Sequence, residues 1–93
     1  MKQYEGMFIL KSDLDKAGID KVLTHIKDVI TKEKGLVDEM REWGKAKLSY
    51  PIKKYKEGLY CLATFNITGE GISKIKKSFL LNDLILRVLI TAK

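Results

Sequence analysis

The stretch Trp43-Gly44-Lys45-Ala46-Lys47-Leu48-Ser49-Tyr50-Pro51-Ile52-Lys53-Lys54, hereafter the basic segment, combines aromatic, cationic and turn-forming residues and contains no acid. Side chains of an extended backbone point alternately to opposite faces, so we expect some of the apolar side chains among Leu48, Tyr50 and Ile52 to face inward. The lysines are then expected to reach outward, where phosphate is the natural ligand for a row of ammonium groups. Packing alone does not explain this composition, and the segment is therefore the first candidate for function.

Length and composition limit what the basic segment can belong to. The 93 residues are expected to form one domain, residues 1–93, with a core large enough to fold alone. A net charge of +6 favours an anionic partner such as nucleic acid. The single cysteine, Cys61, excludes an intrachain disulfide and a multi-cysteine metal site. No stretch approaches the roughly 20 apolar residues that span a bilayer, so we expect a soluble, unprocessed protein of a reducing compartment.

The chain before the basic segment predicts a strand and then a helix. Residues 4–10 are apolar on most of both faces, as in a central strand. Ser12 or Asp13 is expected to cap a helix with Asp15 in its first turn. Gly35 is expected to end this helix in the left-handed conformation. The helix is predicted from apolar residues at helical spacing, namely Ile19, Val22, Leu23, Ile26, Val29 and Ile30.

The remainder of the chain predicts three more strands and a second helix. The high polarity of residues 36–52 indicates an edge strand, with a bulge at Gly44 and with Pro51 tolerated because the edge is unpaired. The following elements are a polar turn (53–58), a buried strand (59–67), a helix opened by Thr68-Gly69-Glu70-Gly71, and a last strand (84–92). The order βαββαβ predicts an α+β, ferredoxin-like fold, with a four-stranded antiparallel sheet and both helices on one face.

Groups that could support catalysis are sparse. His25 is the only histidine, lies at the border of the first helix's apolar stripe, and has no serine or cysteine at a spacing that would form a nucleophile pair. Cys61 lies in an apolar strand, where a thiol behaves as a small hydrophobe. Gly69-Glu70-Gly71 lacks the third glycine and the lysine of a phosphate loop. We therefore predict no catalytic residue, no metal site and no cofactor.

Cations and aromatic residues on the predicted strands form a better candidate site. Lys2, Lys45, Lys47 and Arg87 accompany Tyr4, Trp43, Tyr50 and Tyr60 on elements of one sheet. Cations can hold a nucleic-acid backbone while aromatic rings stack on unpaired bases, although each ring taken singly could equally be a packing residue. Residues 57–63 lack the pattern of an RNA-recognition module, so an ordinary base-stacking sheet is not expected.

Across nearly its whole length the chain resembles the family of protein six of the bacterial small ribosomal subunit. The resemblance rests on Tyr4-Glu5, Gly35, the stretch from Trp43 to Lys53, Gly58-Leu59-Tyr60, and Asp83 with Ile85-Leu86-Arg87. One departure is Ala46, where the family usually has a basic residue, so a cationic contact cannot be expected there. Lys45 and Lys47 would then contribute more.

The resemblance implies a non-enzymatic ribosomal protein of the bacterial cytoplasm. Such a protein would bind the central domain of small-subunit rRNA together with small-subunit ribosomal protein eighteen, and would be a monomer when isolated. The candidate residues for RNA or partner contact are Lys2, Tyr4, Trp43, Lys45, Lys47, Tyr50, Lys53, Lys54 and Arg87.

Two other functions are compatible with the same predicted fold. An acylphosphatase-like hydrolase would need an arginine-led anion loop after the first strand, where this chain has Lys11-Ser12-Asp13. A homo-oligomeric regulatory domain would pair through its sheet edges and would show self-association in sedimentation.

Overall fold

The computed structural model describes residues 2–93 and has the element order βαββαβ. Its elements are β1 (Lys2–Lys11), α1 (Lys16–Lys32), β2 (Leu36–Ile52), β3 (Tyr55–Ile67), α2 (Gly69–Leu80) and β4 (Ile85–Ala92). The strands form one antiparallel sheet in the order β2-β3-β1-β4. This arrangement confirms the predicted ferredoxin-like fold and the edge position of β2.

The hydrophobic core lies between the two helices and one face of the sheet. Phe8 of β1 is fully buried, and its ring meets Phe79 of α2 edge to face at a centroid distance of 4.9 Å. Ile26 of α1 and Phe65 of β3 are buried in the same cluster. Within residues 2–93 no helix packs on the opposite side of the sheet, called here the open face, so its side chains are available to other molecules.

The caps of the helices match the sequence prediction in one case and differ from it in the other. Thr68 caps α2 as predicted, its hydroxyl accepting a 3.3 Å hydrogen bond from the Gly71 amide. For α1 the predicted cap at Ser12 or Asp13 is wrong, because Asp15 is the N-cap and accepts from the Gly18 amide at 2.8 Å. The Asp13 carboxylate instead accepts a hydrogen bond from a tyrosine of β3.

The end of α1 corrects the prediction made for Gly35. Lys34 adopts the left-handed conformation, with φ of 64°, whereas Gly35 does not. Gly35 is needed for space, since a Cβ there would lie 2.7 Å from Cγ2 of Ile30 and 3.0 Å from the carbonyl oxygen of Asn66. The glycine lets the chain turn from α1 into β2 close against β3.

The β2–β3 hairpin is longer than the sequence indicates. The predicted polar turn over residues 53–58 is confined to Lys53 and Lys54, because β3 already begins at Tyr55 and pairs with Ile52. Lys53 and Lys54 have positive φ angles of 49° and 72°. Positive φ at both central residues is characteristic of the two-residue turns that suit the twist of a hairpin.

Candidate nucleic-acid interface

The basic segment forms the second half of β2 and the hairpin turn. Gly44 has φ of 99° at a point where the register with β3 shifts, which confirms the predicted bulge. Trp43 lies in this bulge and is 59% exposed. The indole is therefore available to a partner molecule rather than packed in the core.

A second and larger irregularity follows in the same strand. Lys47 pairs with Glu57 and Ile52 pairs with Tyr55, so the four residues 48–51 of β2 face the single residue Lys56 of β3. An extended insertion of this kind releases the bulged strand from its ladder and bends it. A cavity of about 360 Å³ opens here, lined by Lys47, Leu48, Ser49, Tyr50, Pro51, Lys56 and Glu57.

The released part of β2 bends across the open face. The Tyr50 hydroxyl accepts a hydrogen bond from the Arg87 guanidinium, although Tyr50 belongs to one edge strand and Arg87 to the other. Between them, Ile9 of β1 is paired with both Tyr60 and Arg87. The Tyr50–Arg87 hydrogen bond thus spans the width of the sheet over an apolar floor.

Another tyrosine attaches the hairpin to the loop after β1. The Tyr55 hydroxyl donates to Asp13 at 3.1 Å, and the Lys11 ammonium lies 5.8 Å from the centre of the Tyr55 ring. Loss of hydration, the hydrogen bond and the charge of Asp13 all raise the pKa of Tyr55 above its ordinary value. The hairpin tip is therefore held at two points, by Tyr50 on the open face and by Tyr55 at the loop.

In the described part of the chain, the lysines of the basic segment have no carboxylate partner. Among residues 2–93, the ion pairs within 4 Å are Arg41–Glu39 and Lys74–Glu33. The cations of the hairpin that have no such partner are Lys45, Lys47, Lys53, Lys54 and Lys56, and all five are exposed. Unpaired ammonium groups concentrated on one projection form a suitable surface for a polyanion.

The candidate cations do not lie on one face of the sheet. Lys45 is paired with Leu59, whose side chain points into the core, so Lys45 lies on the helix side of β2. Arg87 and Tyr50 lie on the open face. Tyr50 is not one of the apolar side chains that face inward, since it is 56% exposed and the bulge turns it out of the ladder. The cations consequently surround the hairpin instead of forming one row.

Lys2 and Tyr4 lie apart from the other candidates. Lys2 pairs with Ile67 at the end of the sheet opposite the hairpin turn. Tyr4 packs against the core, with its ring stacked on Phe65 at a centroid distance of 6.1 Å. Tyr4 is therefore a packing residue in this structure, and Lys2 is not part of the hairpin surface.

The open face itself divides into a polar and an apolar half. Near the start of β2, Asp38 accepts hydrogen bonds from Gln3 at 3.1 Å and from Asn66 at 2.8 Å. Toward the hairpin, apolar side chains predominate, and the large apolar side chain of Leu89 on β4 is 57% exposed. An apolar surface bordered by polar groups fits a protein partner better than a bare nucleic acid.

The groups that sequence analysis considered for catalysis are isolated in the described part of the chain. The rings of His25 and Phe79 meet in a T-shaped arrangement, and the buried Nε2 of His25 has no hydrogen-bond partner among the described residues. Burial, with a smaller contribution from the charge of Glu42, raises the pKa of Cys61 to about 11. Such a thiol is a poor nucleophile at neutral pH. In residues 2–93, no three metal-ligating side chains cluster, and neither helix is long and apolar enough to cross a membrane.

Two functional candidates were missed by the sequence analysis. Lys56 was included in a polar turn, yet it faces the bulge and lines the cavity. Tyr55 was not singled out, yet it fixes the hairpin to Asp13. Tyr55 and Lys56 belong to β3 because the turn is only two residues long. The signal for such a short turn is the pair of adjacent lysines, Lys53 and Lys54, between residues that favour strands.

Comparison with known proteins agrees with this architecture. A family model described as ribosomal protein S6 matches residues 3–92. The small ribosomal subunit protein bS6 of Clostridium novyi is 37% identical over 90 residues, covering 97% of this chain and 95% of the relative. That of Corynebacterium kroppenstedtii is 38% identical over 87 residues, covering 94% and 92%. The crystal structure of 30S ribosomal protein S6 from Thermotoga maritima superposes with a TM-score of 0.90 at 25% identity, covering 99% of this chain and 87% of that one.

The fold, the exposed basic hairpin and the matches to known proteins together define a ribosomal protein of the small subunit. In bacteria the small subunit is cytoplasmic. The chain belongs to the ribosomal protein S6 family, a structural and non-enzymatic family. This result confirms the resemblance seen in the sequence and the prediction that the protein is not an enzyme.

Proposed function

We propose that this protein binds the central domain of small-subunit rRNA together with small-subunit ribosomal protein eighteen. Membership of the ribosomal protein S6 family supports the small-subunit setting. The choice of RNA region and of partner rests on the family resemblance of the basic segment. The protein acts by holding an assembly together, through contacts to both RNA and protein.

The observation that carries the RNA-binding part is the set of unpaired lysines on the hairpin. A cation already bridged to a carboxylate would have to exchange that partner for a phosphate, which reduces the gain in free energy. Lys45 and Lys47 have no carboxylate of residues 2–93 within 4 Å, and the turn adds Lys53 and Lys54 beside them. Each lysine that meets a phosphate releases condensed counterions, so the affinity falls as salt concentration rises.

The observation that supports a protein partner is the apolar half of the open face. Leu89 and Tyr60 present apolar surface there, and Trp43, in the bulge of the edge strand β2, is a further exposed aromatic side chain at 59% exposure. Aromatic residues of this kind are frequent anchors of protein interfaces. A protein seated on the open face would leave the lysines on the helix side of β2 accessible to RNA, so one chain could contact both partners at once.

The test is a binding titration against a central-domain rRNA fragment, with and without purified protein eighteen, at two salt concentrations. We expect tight binding only when protein eighteen is present, and weaker binding at the higher salt concentration. Binding under neither condition would contradict the proposed function. Equal binding with and without protein eighteen would contradict its cooperative part.

The double variant Lys45→Ala/Lys47→Ala tests the assignment of the basic segment. We expect the slope of log affinity against log salt to fall by about one per lysine, and the affinity to drop by about tenfold or more at moderate salt. Thermal stability should be nearly unchanged because both side chains are exposed.

The matched control is Lys76→Ala/Lys77→Ala, which removes the same charge from exposed positions on α2. This helix packs against β4, the strand at the other edge of the sheet. We expect the control to retain most of the affinity. An equal loss in both variants would show that RNA binding depends only on net charge, and a large loss of stability with normal binding would remove Lys45 and Lys47 from the interface.

A further inference from the structure

The register of the strands arranges the side chains of the open face in rows that cross the sheet. Residues of β1 that alternate with the buried Phe8 and Leu10 lie on this face, together with the residues paired to them on β3 and β4. The middle row is apolar and contains Leu62, Met7 and Leu89. The row on the hairpin side contains Tyr60, Ile9 and Arg87, and the row on the opposite side contains Thr64, Glu5 and Thr91. The apolar side chains of these rows, called here the apolar strip, thus have a guanidinium at one end and a carboxylate at the other.

Neither of these two charged groups is paired within residues 2–93. No carboxylate lies within 4 Å of the Arg87 guanidinium, and no cation lies within 4 Å of the Glu5 carboxylate. The other acids near Glu5 differ in this respect, since Glu39 is bound to Arg41 at 2.6 Å and Asp38 accepts hydrogen bonds from two side-chain amides. Glu5 is also half-buried, on a strand in the interior of the sheet. The two ends of the apolar strip therefore carry opposite charges that the described chain leaves free.

We propose that the protein segment that covers the open face carries a carboxylate that pairs with Arg87 and a lysine or arginine that pairs with Glu5. This inference rests on the proposed function, which seats protein eighteen on this face, and it deepens that function by giving the chemistry and the direction of the contacting segment. Arg87 is paired with Ile9, four residues from Glu5 along β1. The two contacts of the segment are therefore separated by about 13 Å, at about 3.3 Å per strand residue.

Loss of water on docking makes both contacts necessary. A protein that covers Leu89, Met7 and Tyr60 also removes water from Arg87 and Glu5, which lie in the same or the adjacent row. An ionised group that loses its hydration without a partner carries a large free-energy penalty. A segment with apolar side chains alone would therefore bind poorly, although it fits the apolar strip. A carboxylate can accept two parallel hydrogen bonds from a guanidinium, and this geometry offsets the penalty at Arg87.

Opposite charges at the two ends also fix the direction of the segment. A segment that docks the other way round would place its carboxylate against Glu5 and its cation against Arg87. Like charges brought together in an interface are repulsive, so the reversed complex is disfavoured and only one orientation is stable. Lys45 takes no part in this selection because it lies on the helix side of β2. The open face therefore selects its protein partner by charge, separately from the lysines that attract RNA.

The experiment measures the affinity of purified protein eighteen for variants of this protein by calorimetry, in the absence of RNA. Glu5→Gln and Arg87→Gln each remove one charge from an end of the apolar strip and keep a polar side chain there. The matched controls are Asp20→Asn on α1 and Lys76→Gln on α2, which remove the same charges from exposed positions of the helices. The double variant Glu5→Arg/Arg87→Glu keeps the wild-type net charge and reverses the two ends. Its control is Asp20→Arg/Lys76→Glu, and thermal unfolding checks that every variant is folded.

We expect Glu5→Gln and Arg87→Gln each to weaken binding about tenfold or more, and the reversed double variant to weaken it about a hundredfold or more. All three controls should bind within about twofold of the wild type. Wild-type affinity in both glutamine variants, or equal losses in the variants and their controls, would overturn the charge pairing while the binding itself supports the proposed partner. A loss at only one end would overturn the two-ended arrangement. No binding of protein eighteen to the wild type would overturn both this inference and the proposed partner.

Discussion

The surroundings of Cys61 change the pKa of its thiol. The thiol is 1% exposed on β3, and Glu42 on the adjacent strand adds a negative charge nearby. Both effects favour the protonated form, so the folded state raises the pKa of Cys61 to about 11 from an ordinary value of 9.0. Cys61 therefore acts as a packing residue whose contribution to stability depends on pH in the alkaline range.

We predict that the contribution of Cys61 to the free energy of unfolding is complete below pH 9 and is lost as the pH rises toward 11. The sign follows because the folded state binds the proton more tightly than the unfolded state does. A pKa rise of this size corresponds to about 2–3 kcal/mol. The measurement is urea unfolding of wild type and Cys61→Ala at several pH values between 8 and 11.

The comparison with Cys61→Ala separates the thiol from the tyrosines and lysines that titrate in the same range. The variant should be less stable at pH 8, because it leaves a small cavity. Its stability should nevertheless fall less than that of the wild type on going to pH 11. Parallel loss of stability in the two proteins would contradict the role given to Cys61.

Residues differ in how far the sequence can predict their place. The exclusion of Cys61 and His25 from catalysis could be inferred from their neighbours along the chain. Tyr4 could not be assigned, since β1 is apolar on both faces and only the register with β3 reveals its contact with Phe65. Alternation along the basic segment does not show which of its apolar side chains face inward, and the bulge places Tyr50 on the open face.

In the hairpin turn, the backbone conformation is one that its residues, Lys53 and Lys54, do not favour. Lys53 and Lys54 occupy positions with φ of 49° and 72°, where asparagine and glycine are the favoured residues. Lysines in these positions strain the backbone and also repel each other. Their presence is explained if the turn contributes to anion binding at some cost in stability.

We predict that Lys53→Asn/Lys54→Gly stabilises the protein by about 1 kcal/mol and weakens RNA binding. The gain comes from relief of the left-handed strain, and the loss comes from removing two charges from the hairpin tip. Thermal unfolding and the rRNA titration measure the two effects on the same samples. The single variant Lys53→Asn, which changes only the first position, should give a partial effect on both. A variant that is stabilised and binds RNA normally would place the turn outside the interface.

Elements were predictable to the extent that they follow a simple period. The two helices follow a hydrophobic spacing of 3.6 residues and β3 follows one of 2, whereas β1 was predicted from apolar residues on both faces and β2 from its polarity; all six elements are present. The insertion of residues 48–51 could not be predicted, because the alternation of the basic segment continues through it without interruption. The insertion is accompanied by tertiary contacts, since Tyr50 is hydrogen-bonded to Arg87 of β4 and Tyr55 to Asp13 in the loop after β1.

At the scale of the whole molecule, the exposed edges and the open face determine whether the chain associates with itself. The edge strand β2 carries charged side chains such as Asp38 and Arg41, together with Pro51, and these features hinder pairing with another sheet. We predict that the isolated protein sediments as a monomer of 10.6 kDa up to moderate concentration. Addition of protein eighteen should produce a one-to-one complex.

The measurement is analytical ultracentrifugation over a wide range of protein concentration, at low and moderate salt. A dimer or larger species without protein eighteen would favour the homo-oligomeric regulatory function that the sequence left open.

Predicting the overall fold required little beyond the order of elements, because right-handed crossovers leave few ways to arrange βαββαβ. The positions of the candidate cations on two faces required the register of the strands and could not be inferred from that order.

The strand register also determines where the chain can be extended. The amide of Lys93 donates a 2.9 Å hydrogen bond to the carbonyl oxygen of Gln3, so the two ends of the described chain emerge side by side. They lie at the end of the sheet opposite the hairpin turn, in a molecule whose longest dimension is 36 Å. A fluorophore or affinity tag attached at either terminus would therefore stand clear of the hairpin, and a pair of dyes at one terminus and at the turn would span the length of the protein.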